Sequence, residues 1–157
     1  MYHRYQTGLR RVAAAVIDAL LLSAPGTALT ANGALTPNGQ AILEQVNAFL
    51  PLLYSIVLHY RFGQTFGKKL VGIKVLDVSE TRLPSWRQAV LRDSVWLGLE
   101  VLGLVLAVVD FVNLEWLAWG VVNASLLWVI LEITTMLLSP KRRAIHDLLA
   151  GTVVVRE

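Results

Sequence analysis

The chain contains no cysteine among its 157 residues. Disulfides and thiolate metal sites are therefore excluded, and the redox compartment is not legible. Charge is scarce too: Asp, Glu, Lys and Arg make up 16% of the residues, against 55% hydrophobic. Soluble domains run nearer a quarter charged, so this balance, with a mean hydropathy of +0.58, points to a membrane. The length fits one domain, and the sequence has neither internal repeats nor low-complexity segments.

What is present is apolar and comes in four blocks. Stretches at about 12–30, 41–60, 89–109 and 117–139 are long enough to cross a bilayer, which takes roughly 20 residues per helix. Pro51 should kink the second, because it lacks an N–H and crowds the preceding turn. Between the first two lies a turn-rich connection with Asn32, Gly33, Pro37, Asn38 and Gly39. Three basic residues precede the first block, seven lie between the second and third or at the start of the third, and four follow the fourth. That accounts for all 14 Lys and Arg. Basic residues mark cytoplasmic loops, so four spans with both termini cytoplasmic are expected. The pI of about 9.5 is then a sign of topology, and nucleic acid is not an expected partner. The N-terminal run and "SAPGTALTA" resemble a signal peptide, but Asp18 interrupts the apolar stretch, so a retained first span is expected.

"GQTFGKKLVGIKV" has the look of a phosphate loop. That motif needs G-x-x-x-x-G-K-[ST] after a strand. Here Gly63 to Gly67 is one residue short and Lys69 stands where the hydroxyl belongs. The stretch is better read as a cytoplasmic interfacial segment, with Lys68 and Lys69 at headgroup level and with Gly67 and Gly72 permitting a turn and a close backbone approach. Lys141, Arg142 and Arg143 are the corresponding headgroup candidates after the fourth span. Val71, Ile73, Val75 and Val78 form a strand-like run whose obvious partner is the tail "GTVVVRE". The expected fold is an all-α bundle of four spans with a short interfacial helix and a small two-stranded ribbon on the cytoplasmic side.

Four segments, "RRVAAAVID" at 10–18, "GQTFGKKLVGIKVLD" at 63–77, "WRQAVLRD" at 86–93 and "KRRAIHDLLAGTVVV" at 141–155, resemble the RDD family over nearly the whole chain. The resemblance implies a small multi-pass protein of the bacterial or archaeal cell membrane (the inner membrane where there are two). It places the family's arginine and two aspartates on Arg11, Asp18 and Asp147. It also implies an activity of transport, including exchange of monovalent cations for protons. Family members often have proline where this chain has Phe66, and an acidic-glycine turn where it has "VSETR"; both departures fall in the cytoplasmic connection.

Chemistry is sought in the acids. Arg11 and Asp18 share a helix face ~10 Å apart along the axis, so each should meet a partner on another helix, and Asp147 is placed to close on Arg11. Asp18 lies seven residues inside Arg11, Glu100 eight inside Arg92 and Glu132 nine from Lys141. All three should sit ~10–14 Å in from the cytoplasmic anchors, in a layer without Lys or Arg, with Tyr54 at the same depth as a hydrogen-bond donor. A carboxylate there must be protonated, paired or wet, and like charges sharing one site favour proton retention. Asp18, Glu100, Glu132 and Tyr54 are thus candidates for binding H⁺ or Na⁺, K⁺ or Li⁺. The opposing reading makes them structural or interfacial. Arg92 and Asp93 are expected to pair with each other. His3, His59 and His146 lack metal-ligand spacing, the serines have no recognisable base, and the five tryptophans fit interfacial belts. No enzyme, metal or cofactor is expected. The rival functions are an accessory or scaffold protein that binds other membrane proteins, and a lipid-binding module. Four helices enclose little space, so a dimer or larger assembly is expected, with Gly98, Gly103 and Gly120 permitting close helix contacts.

Overall fold

The computed structural model describes residues 2–31, 37–108 and 115–157. Asn32 and Gly33 of the first connection, and the predicted end of the third span at 109, lie outside them. A 3₁₀ turn at Tyr2–Tyr5 leads into α1 (Gly8–Ala31). Then follow α2 (Pro37–Phe62), α3 (Phe66–Leu70), β1 (Ile73–Asp77), α4 (Trp86–Val108), α5 (Glu115–Leu138), α6 (Ile145–Ala150) and β2 (Thr152–Arg156). The four long helices run 24, 26, 23 and 24 residues, about 35–39 Å each at 1.5 Å per residue. Pro51 lies inside α2, whose helical assignment continues through it.

The ribbon forms where the alternating Val and Ile residues predict it. β1 and β2 pair antiparallel, with Ile73 opposite Arg156 and Asp77 opposite Thr152. Ile73, Val75, Val153, Val154 and Val155 are buried, joined by Ala14 of α1 and Ala89 of α4. The dry core therefore sits at the ribbon end of the molecule.

Along the long helices the pattern is reversed. Leu20, Leu53, Val101, Leu126, Ile130 and Leu138 are all exposed. Contiguous apolar surface on this scale needs a cover other than water. Trp119–Leu138 in α5 is long and apolar enough to cross a membrane, with a mean hydropathy of 1.9; α1, α2 and α4 carry more polar residues, among them Asp18, Glu44, Arg92, Asp93 and Glu100. α2 packs on α4, α1 on α2 and α3, and α6 on α4, while α5 touches α4 and α6. Among the described residues, a side chain on Gly98, Gly103 or Gly120 would meet open space within the chain.

Candidate functional site

The glycine-lysine stretch is the lower wall of the site. Thr65 is the N-cap of α3, accepting from the Lys68 amide at 3.4 Å. Its own hydroxyl donates to Asp18 Oδ2 at 2.6 Å. Asp18 Oδ1 accepts from the Gly67 amide at 2.7 Å and the Tyr54 hydroxyl at 2.8 Å, and the Phe66 amide donates to that same hydroxyl oxygen at 2.9 Å. The amides at the start of a helix have no partner within it, and here one carboxylate and two hydroxyls supply them. Gly67 makes this possible: a Cβ would strike the Ala14 carbonyl and come within 2.9 Å of Asp18 Cγ. Asp18 therefore straps α3 onto α1.

A second carboxylate organises the ribbon end. Asp147 is fully buried in the first turn of α6 and accepts the Ala144 amide at 3.1 Å. Arg11 Nη1 donates to its Oδ2 at 2.6 Å, and Arg92 Nη1 donates to its Oδ1. Arg11 also donates to the Arg142 carbonyl and to Thr7, and Arg92 to Thr152. Burial alone would raise the Asp147 carboxyl, but the guanidiniums of Arg92 and Arg11 outweigh it and hold the group well below the usual carboxylate range. The hub ties α1, α4, α6 and β2 together.

Arg11 and Asp147 thus join the two ends of the chain, and Asp18 fastens α3 to α1. The model of the RDD family matches residues 5–151. The chain belongs to the RDD family. No curated protein and no solved structure matches it. RDD proteins are membrane proteins, and the exposed apolar helices of this one agree with that setting.

Above both carboxylates, the long helices of this RDD chain enclose a cavity of about 1160 Å³. Its lining is largely apolar, with Val16, Leu22, Leu50, Pro51, Val129 and Met136 among it, and also carries Arg11, Thr65, Lys68, Arg92 and His146. Asp18, Tyr54, Glu100 and Glu132 all line it. They differ in what they touch. Asp18 and Tyr54 are engaged in the α3 strap. Glu132 Oε1 lies 2.5 Å from His146 Nδ1. Glu100 has no hydrogen-bond or ion-pair partner among the described residues.

Three expectations need correcting. The acidic layer is not free of basic groups, because long Arg and Lys side chains reach from their anchors to the cavity lining. Arg92 does not pair with Asp93: successive helical residues point in different directions, so Arg92 turns to Asp147 and leaves Asp93 Oδ2 buried without a hydrogen bond. Lys68 does not point to a headgroup layer; its Nζ is 2.6 Å from Nε2 of buried His59. Burial, and then the charge of Arg92, push Lys68 down to about 7. Lys69 is exposed. Lys141 reaches Glu80 at 2.7 Å, and Arg143 donates to the Thr152 and Asp147 carbonyls. Sequence reasoning missed Thr65, His59, Arg92 and His146 as members of the site. Only Thr65 carried a local signal, as a helix-capping residue type ahead of a short helix.

Proposed function

We propose that this protein crosses the bilayer with α1, α2, α4 and α5, keeps both termini in the cytoplasm, and exchanges a monovalent cation for protons through the interhelical cavity. Supporting the topology are the lengths of the four helices and the confinement of every Lys and Arg to three segments. The observation that carries the exchange reading is Glu100: a carboxylate lining the cavity with no partner among the described residues, in the same lining as the Glu132–His146 pair. At membrane depth such a group must hold either a proton or a cation, and alternation between the two is exchange. Glu132 is the second carrier in this reading, and Asp18 and Tyr54 shape the lining. A second copy of the chain would complete a path too wide for four helices. Lys69 and Arg142 face the cytoplasmic headgroups in this reading.

A second reading has its own observation. α5 exposes Trp116, Trp119, Leu126, Leu127 and Ile130 and touches little of the rest of the chain, as a helix offered to another membrane protein would. The two readings part in proteoliposomes carrying an internal pH dye. Exchange predicts a pH change on adding Na⁺, K⁺ or Li⁺ that Glu100→Gln abolishes. A scaffold predicts no change with any of them and a stably co-purifying partner.

A further inference from the structure

His59 and Lys68 are two bases in direct contact, and neither belongs to the acidic set that the exchange reading uses. His59 is 1% exposed, on the last turns of α2, with Nδ1 at 3.1 Å from Ser55 Oγ and Nε2 at 2.6 Å from Lys68 Nζ. Ser55 and Lys68 line the cavity, while the ring lies behind them. Contact at this distance requires a hydrogen between the two nitrogens. Either the ammonium of Lys68 donates to an imidazole that gives its other N–H to Ser55, or the ring donates to a neutral amine. Two full positive charges this close, out of water, repel too strongly to coexist.

The surroundings set how readily that single proton is held. Arg11 and Asp18 of α1, Tyr54 of α2, Arg92 of α4, Glu132 of α5 and His146 of α6 line the same cavity, and the charges of Asp93 of α4 and Asp147 of α6 also act on Lys68; Lys69 of α3 is exposed. Asp147 is committed to both guanidiniums, and Asp18 to α3 and Tyr54. Asp93, whose Oδ2 has no hydrogen bond, is the uncommitted carboxylate that favours the ammonium, yet a lysine ammonium with three donors finds one acceptor among the described residues.

We infer that His59 and Lys68 form a proton-binding site in the wall of the cavity, a pair of bases that takes up one proton from cavity water and returns it there. The depressed position of Lys68, about 7, places loading and release near neutral pH. Its use in exchange rests on the function proposed above; its proton binding does not.

The test uses the full chain in lipid nanodiscs with ¹⁵N-labelled lysine and histidine, titrated from about pH 5 to 10. The Lys68 Nζ resonance should change with a midpoint within about one unit of 7, far below the ~10.4 of ordinary lysine, and the His59 ring should respond in the same step. Lys68→Arg keeps the positive charge at every pH and should abolish the His59 response. A Lys68 resonance that stays ammonium past about pH 9 overturns the inference, as does an unchanged His59 response in Lys68→Arg. A wild-type step near 7 in protein that moves no cation across liposomes would uphold the proton site and reject exchange alone.

Discussion

Asp147 is fully buried between Arg11 and Arg92, and removing its charge strands two guanidiniums. Breaking a buried pair by deleting one partner costs about 3–5 kcal/mol. Asp147→Asn should lose about that much in unfolding experiments in detergent, whereas removal of the exposed Lys69 side chain should cost less than about 0.5 kcal/mol. Glu80 shows strain and compensation at one position. It sits at φ 61°, the left-handed region, and a side chain there costs roughly 1–2 kcal/mol. Against that, its carboxylate accepts from Tyr5 and Lys141 at 2.7 Å each and pairs with Arg4, with the Lys141 hydrogen bond first in holding it below the usual glutamate range. Glu80→Ala loses those contacts and keeps the strain, so thermal melts should find it about 1 kcal/mol less stable than Glu80→Gly. Lys68 makes a prediction with pH. Its folded value of about 7 lies below the unfolded ~10.4. Between those limits the unfolded chain binds more protons, so stability contributed by this residue rises with pH. The melting temperature of wild type relative to Lys68→Met should climb from about pH 7 to 10.

α3 is the element whose placement depends on one residue without a side chain. Gly67→Ala drives a methyl into the Ala14 carbonyl, so α3 must leave α1 and release Asp18. Proteolysis in the α2–β1 connection should then accelerate, and a variant as resistant as wild type would contradict the strap. The β1–β2 ribbon was legible in the sequence because alternating β-branched residues need a partner and only one segment offered itself. The Arg11–Asp147 contact was legible through the RDD motifs. The long helices followed from apolar block length, though α1, α2 and α4 carry more polar residues than a simple span. What escaped was side-chain direction. Whether Arg92 turns to its neighbour Asp93 or across to α6, and whether Lys68 points to lipid or to His59, depends on how α3 and α6 dock, and no local periodicity encodes that.

For the whole molecule, the lack of cysteine makes topology directly measurable. Single cysteines introduced at Ser79 and at Glu157 should both react with an impermeant thiol reagent from the cytoplasmic side of sealed vesicles, and from that side alone. Reaction from opposite sides would contradict four spans with paired termini. The cavity sets a sharper demand, since it brings Asp18, Glu100 and Glu132 onto one surface in different states: strapped, without a partner among the described residues, and paired with His146. The decisive measurement is cation-driven proton flux in proteoliposomes for Glu100→Gln and Asp18→Asn, each beside its melting curve. The predicted result is that Glu100→Gln abolishes flux with its melting temperature unchanged, while Asp18→Asn melts earlier because α3 loses its strap. Wild-type flux in Glu100→Gln, from protein shown to be folded and inserted, would contradict the assignment of this cavity as the exchange site.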